Sequence, residues 1–170
     1  IIASDVDTVL NMSTYKTATY SFSLPLRAAA LLAGSSASAE QTLTAVGRHL
    51  GLAYQLQDDH LCVFGDHRSH GKDAFSDLRE GKETAIVAFA RTTELWQRIE
   101  PRFGSADLSL KDAVEIRDLL RESGAERFVV GLIGDQLDRV YELIAGAESN
   151  GEISSVAARS ILVSASRLEG

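Results

Sequence analysis

The stretch Tyr54-Gln55-Leu56-Gln57-Asp58-Asp59-His60-Leu61-Cys62 is followed by Gly65-Asp66, Gly71-Lys72, Asp77 and Glu80-Gly81-Lys82. On a helix Gln55, Asp58, Asp59 and Cys62 lie three and four residues apart, so their side chains share one face. Lys72 and Lys82 come after them in a loop. Adjacent carboxylates beside ammonium groups suit a polyanion carried on a hard cation. The carboxylates offer oxygen ligands to the metal, and the lysines offer positive charge to phosphate oxygens. An Asp-Asp pair alone is most often solvated surface. With Gln55 before it and two lysines after it, the pair implies a magnesium-diphosphate site.

Outward from this stretch, apolar residues recur at helical spacing and nothing alternates with period two, so the chain reads as all-α. Ser4 with Asp7 resembles a capping pair opening a helix that carries Lys16 and Thr17. Pro25 predicts a break or kink before a second apolar stretch, 26–32, ending at Gly34. Ser38 and Gln41 form a candidate capping box for the helix that holds the Asp pair. Leu43, Val46, Leu50, Ala53 and Leu61 define its expected buried stripe, with the metal face set off from it and an end near Gly65. From Gly65 to about Arg79 the polar, glycine-rich and histidine-containing sequence has the length of a functional loop. A helix is predicted over about 82–99, closed by Pro101 and Gly104. Another starts at Ser109 with Asp112 and stops at Gly124, a long one covers about 125–147 before Gly151, and a last one reaches about 168.

Length and composition narrow the function classes. At 170 residues the chain is the size of one domain. A net charge of −7 with 45% hydrophobic residues argues against bulk attraction to nucleic acid or anionic membrane, so phosphate recognition must be local. One cysteine excludes an internal disulfide framework and suits a reducing compartment. No apolar run reaches membrane-spanning length. The expectation is a soluble, cytoplasmic enzyme.

Three separated motifs, in order, resemble the trans-isoprenyl diphosphate synthases, the polyprenyl synthetase family. Lys16-Thr17 is similar to the family's Lys-Thr pair. Tyr54-Gln55-x-x-Asp58-Asp59 resembles its Phe-Gln-x-x-Asp-Asp. Gly71-Lys72 and Asp77-Leu78-Arg79-Glu80-Gly81-Lys82-Glu83-Thr84 resemble its Gly-Lys and Asp-Leu-x-Glu-Gly-Lys-x-Thr, and Ser123-Gly124-Ala125 its Ser-Gly-Ala. The resemblance implies the C-terminal part of the isoprenoid synthase helical bundle, and condensation of an allylic diphosphate with isopentenyl diphosphate to a trans-polyprenyl diphosphate. It implies Mg2+ on Asp58 and Asp59, and diphosphate neutralisation by Lys16, Lys72 and Lys82. Lys16, Thr17 and Gln55 would be catalytic, the full-length enzyme a homodimer, and the product geranylgeranyl or farnesyl diphosphate.

Two departures qualify it. The family's second aspartate-rich region is commonly Asp-Asp-x-x-Asp, and here Cys62 holds the last position; a neutral thiol is a poor magnesium ligand. The family's first aspartate-rich region has no counterpart, because Asp58-Asp59 is the only adjacent Asp pair. Residues 1–170 therefore read as the C-terminal portion of one synthase domain with the N-terminal half absent, inactive alone.

Each residue also has a plainer role. Lys16 is a candidate snorkelling helix lysine, Thr17 can back-bond to its own helix, and Gly71-Lys72 suits a simple turn. Lys82 in the first turn of a helix would be slightly unfavourable there, a local cost that function would explain. His60, His67 and His70 lack the spacing and cysteine partners of a zinc site. The rival classes are a non-catalytic subunit of a heteromeric synthase, a terpene cyclase and a helical interaction module. The retained Asp and Lys positions argue against the first and last, and the missing Asn/Glu metal motif against the second.

Overall fold

The computed structural model describes residues 4–65 and 75–168, and every regular element in them is helical. The elements are α1 (Val6–Ser13), a π-helical stretch (Thr14–Ser23), α2 (Leu24–Leu32), α3 (Ala37–Phe64), α4 (Ser76–Glu80), α5 (Ala85–Ala90), α6 (Trp96–Ile99), α7 (Leu110–Glu122), α8 (Ala125–Ser149) and α9 (Ser155–Ser166). None of the described helices is long and apolar enough to cross a membrane. The chain divides into two compact units, Ile1–Leu10 with Leu56–Gly131, and Asn11–Gln55 with Leu132–Gly170.

The second unit is built on the close approach of the π-helical stretch to the first half of α3. Gly47 and Gly51 lie one helical turn apart and face it. A Cβ on Gly51 would sit 2.5 Å from Ala18 Cα, and one on Gly47 would sit 2.6 Å from Ser23 Cα. Only glycine lets the two backbones come this near. Ser23 donates its hydroxyl to the Thr44 carbonyl at 3.2 Å, and Arg27 reaches Glu40 at 2.6 Å. On the other side of α3, His49 Nδ1 is 2.8 Å from Gln136 Oε1 of α8, and Ser38 donates to Glu152 at 2.6 Å.

The break expected at Pro25 takes the form of a change in winding. Pro25 is in the first turn of α2, and just before it the Leu24 N–H bonds five residues back, to Thr19 O. The wider turn accommodates a residue that has no N–H and whose ring would clash with the carbonyl four residues earlier.

In the first unit Phe75, Leu78, Ile86, Ile99, Ile116 and Leu120 are fully buried. Both α5 and α6 pack on α7. The helix predicted over 82–99 is two short helices. The Thr92 and Thr93 hydroxyls donate to the carbonyls of Phe89 and Ala90, each at 2.7 Å, competing with continuation of the helix. Arg91 at this break forms a two-pronged pair with Glu83 and lies 4.8 Å over the Trp96 ring.

Two caps differ from expectation. The first helix is capped by Asp5, whose Oδ1 accepts from Thr8 N at 2.7 Å, not by Ser4. The helix carrying the Asp pair is capped by Ser36, which accepts from Ala39 N at 3.2 Å, while Ser38 lies inside it. Ser109 caps its helix as expected, its Oγ accepting from Asp112 N at 3.1 Å and donating to Asp112 Oδ2 at 2.6 Å.

Candidate functional site

The buried stripe of α3 positions the Asp pair, and it runs differently from the sequence expectation. Leu43, Val46, Leu50 and Ala53 are buried, but Leu61 is only half-buried; Leu52, Leu56 and Val63 complete the stripe. Leu52, Leu56, Asp59 and Val63 are spaced four, three and four, so Asp59 stands where the pattern calls for an apolar residue. It is 3% exposed, whereas Asp58, about a hundred degrees round the helix, is half-exposed. The expectation that the whole metal face is set off from the stripe thus holds for Asp58 and not for Asp59.

A buried carboxylate needs a partner, and Asp59 finds Lys82, with Nζ to Oδ1 2.8 Å; the same ammonium is 3.0 Å from Asp77 Oδ2. The local chain dictates this return. Helix α4 is only five residues long because Gly81 closes it in the left-handed region, φ 66°. Gly81 lies against Gly104, whose Cα a Cβ at position 81 would meet at 3.0 Å, and the Gly104 N–H bonds to Leu78 O at 2.9 Å. Past Gly81 the Lys82 N–H donates to Asp77 O at 2.9 Å, which turns its side chain back along α4. Thr84 then caps α5 by accepting from Val87 N at 3.3 Å. Burial works against the Lys82 charge, but hydrogen bonds to Asp59 and Asp77 and their charges outweigh it and hold the ammonium above its ordinary pKa.

At the end of α3, Cys62 Sγ is 3.4 Å from Ser76 Oγ, and the Phe75 N–H donates to Cys62 O at 3.3 Å. Phe75 is fully buried at φ 66°, a left-handed conformation unusual for an aromatic residue. Burial pushes the Cys62 thiol up, the Ser76 hydroxyl partly opposing this, so the side chain stays protonated at neutral pH.

In the second unit Thr17 donates its hydroxyl to Gln55 Oε1 at 2.8 Å. This follows from the glycine seam, since Gln55 is one turn beyond Gly51 on the same face of α3. Lys16 is exposed beside it on the π-helical stretch, and π-winding often marks functional sites. Tyr54, 47% exposed, lies 5.5 Å from Phe22, ring centre to ring centre. Lys72, Gly71, His67 and His70 lie outside the described residues.

His60, next to the Asp pair, is 3.8 Å from Glu126, which Arg121 holds at 2.6 Å. Burial lowers the His60 pKa, with Glu126 opposing and Arg121 adding to the shift. A depressed histidine contributes stability above its unfolded pKa that is lost as pH falls through the folded one. Urea unfolding should show falling stability once the pH drops below about 6.5, and His60→Leu should flatten that slope.

The donor set suits magnesium of a particular kind. Asp58 and Asp59 carry hard oxygens, yet among the described residues no three His, Cys, Asp or Glu side chains converge to cage an ion. A half-exposed Asp58 beside a carboxylate already engaged by Lys82 fits an ion held mainly by water and phosphate, as magnesium usually is.

The motifs give Asp77 no role of its own, and none to Gly47 or Gly51. The i, i+4 spacing of the two glycines before Gln55 was the available signal for the second.

These helices match part of the prenyl synthase helical fold. A geranylgeranyl pyrophosphate synthase from Corynebacterium glutamicum, solved with isoprenyl diphosphate and magnesium, superposes with a TM-score of 0.87 at 29% identity, over 97% of this chain and 46% of that one. The polyprenyl synthetase family profile matches residues 2–117, and the chain belongs to that family. Geranylfarnesyl diphosphate synthase of Aeropyrum pernix is 33% identical over 147 residues, covering 80% of this chain and 44% of the relative. (2E,6E)-farnesyl diphosphate synthase of Mycobacterium tuberculosis is 33% identical over 131 residues, 72% and 36% respectively. The chain spans less than half the length of each of these three proteins.

Proposed function

We propose that the chain is the C-terminal portion of a magnesium-dependent trans-prenyltransferase, which as a full-length protein condenses an allylic diphosphate with isopentenyl diphosphate. The observation that carries this is the placement of Asp58, a half-exposed carboxylate beside a buried Asp59–Lys82–Asp77 ion network, in a chain of the polyprenyl synthetase family. Relatives named as farnesyl, geranylgeranyl and geranylfarnesyl synthases support the reaction type.

Asp58 would hold the magnesium, with Asp59 backing it from the helix interior. Bound there, the ion supplies charge stabilisation to the departing diphosphate. Lys16 and Lys72 would neutralise diphosphate oxygens. Gln55, oriented by the Thr17 hydroxyl, presents an amide dipole on the same helix as the Asp pair. The product is proposed to be farnesyl or geranylgeranyl diphosphate, and the full-length protein a homodimer. The 170-residue chain by itself is proposed to be inactive, because the relatives devote more than half their length to sequence outside the matched region.

In the full-length protein, Asp58→Ala should reduce magnesium-dependent incorporation of isopentenyl diphosphate more than about 100-fold, since removing a ligand exceeds the 10–100-fold typical of losing its supporting partner. A full-length protein without prenyl transfer that binds neither magnesium nor pyrophosphate would overturn the proposal and favour a non-catalytic subunit.

A further inference from the structure

We infer that Lys82 is a positioning residue that clamps Asp59 to Asp77, and is not a ligand of the diphosphate. The inference rests on the reading of the chain as part of a prenyltransferase. Its ammonium lies 2.8 Å from Asp59 Oδ1 and 3.0 Å from Asp77 Oδ2, so two carboxylates already oppose its one charge and take two of its three N–H donors. An ammonium engaged by two carboxylates has little positive charge left to offer a phosphate.

The geometry shows what the clamp holds. Asp59 is on α3, immediately after Asp58; Asp77 is on α4; Lys82 follows the left-handed turn at Gly81. The ion network therefore ties the last turns of α3 to α4. The junction is fastened again by the Phe75 N–H on Cys62 O and by the contact between Cys62 Sγ and Ser76 Oγ. With Asp59 turned into this junction, Asp58 is the member of the pair left at half-exposure, on a helix end that these contacts cross-link to α4. A clamp acts on the reaction through Asp58, by keeping its carboxylate in a productive place. Misplacements of about 1 Å can slow an oriented reaction about 100-fold.

The position of Asp77 bears on the missing carboxylate of the aspartate-rich region. Position 62 is a thiol, and Asp77 lies beside that thiol, within the electrostatic reach of its sulfur. Negative charge that the helix itself does not carry at position 62 is thus brought to the same end of α3 from α4, where Lys82 fixes its orientation.

The test uses full-length protein carrying Lys82→Gln or Lys82→Arg, assayed well below the unfolding transition of each variant. Calorimetric binding of inorganic pyrophosphate in excess magnesium is measured beside kcat and KM. A positioning role predicts a kcat about 30-fold lower or more in Lys82→Gln, pyrophosphate affinity within about 3-fold of the parent, and recovery of most of kcat in Lys82→Arg, whose guanidinium can serve two carboxylates. Pyrophosphate affinity at least about 10-fold weaker in Lys82→Gln, one lost charge-assisted contact, would overturn the inference and make Lys82 a ligand. An unchanged kcat with only a lowered unfolding midpoint would also overturn it, reducing Lys82 to a purely structural residue. If the parent protein binds no magnesium pyrophosphate, the prenyltransferase reading fails, and this inference with it.

Discussion

Gly51→Ala is expected to lower stability by about 2 kcal/mol, although alanine is the better helix former. Alanine in a helix interior gains about 1 kcal/mol over glycine. Against that, the new Cβ would lie 2.5 Å from Ala18 Cα and 2.7 Å from Ala18 Cβ, contacts that backbone cannot relieve by rotating a side chain. Overpacking of this kind costs about 3 kcal/mol at the upper end of its usual range, so the steric effect wins. Urea unfolding measures the change directly. Gly134 on α8 is the control: it is exposed, and a Cβ there meets nothing within 4 Å. Gly134→Ala should therefore stabilise by roughly 0.5–1 kcal/mol. Gly47 shares the seam, so movement that relieves one site makes room at the other, and Gly47→Ala with Gly51→Ala should cost less than the sum of the single changes. A neutral or stabilising Gly51→Ala would show that the π-helical stretch is not seated on α3 as described. On the proposed prenyltransferase function, the same change in the full-length protein should also reduce kcat, because pushing Ala18 away carries Thr17 from its 2.8 Å bond to Gln55.

Lys82→Met should destabilise by about 3 kcal/mol, the low end of the range for breaking a buried ion pair. Asp59 is almost wholly buried and would lose the ammonium that lies 2.8 Å from its Oδ1, which sets the size of the loss. The lysine side chain is itself 34% exposed, so water can reach part of the vacated site, which keeps the loss at the low end. Arg139→Met is the contrast. That arginine pairs with Glu142 at 2.7 Å, but both side chains are about two-thirds exposed, and its removal should change stability by less than about 0.5 kcal/mol. The pH dependence follows from the sign of the Lys82 shift. Its folded pKa is raised, so its contribution is complete below the unfolded value of about 10.4 and is lost only as pH rises through the folded one. The difference between parent and Lys82→Met should then show no decline attributable to lysine titration between about pH 6 and pH 9. A small Lys82→Met effect, comparable to that of Arg139→Met, would mean that Asp59 is solvated in solution.

Most of the secondary structure was legible because its signals are local. Gly34, Gly104, Gly124 and Gly151 all take positive φ at or just past the ends where the sequence expects the chain to turn. Ser109 caps the helix that its spacing with Asp112 implies. Where two capping residues stand close together, sequence alone chose the wrong one: Asp5 and Ser36 cap, while Ser4 and Ser38 do not. The choice depends on which backbone N–H each side chain reaches once the helix has its final phase. The split between α5 and α6 was hidden for a similar reason, since apolar spacing continues through Thr92 and Thr93 while their hydroxyls bond back to the preceding turn.

By itself the sequence determined the all-helical class, the family, and the set of carboxylates, amides and lysines from which the site is drawn, because spacing along a helix fixes which side chains share a face. Only the tertiary structure decided between neighbours in that set. Asp58 and Asp59 are adjacent and chemically identical, and what separates them is that α4 and Lys82 pack over one and leave the other at half-exposure. Lys82 likewise reads as a free cation until the turn at Gly81 brings it back onto Asp77 and Asp59. Charge and spacing are properties of the chain, whereas burial and pairing depend on which segment, distant in sequence, comes to lie on top.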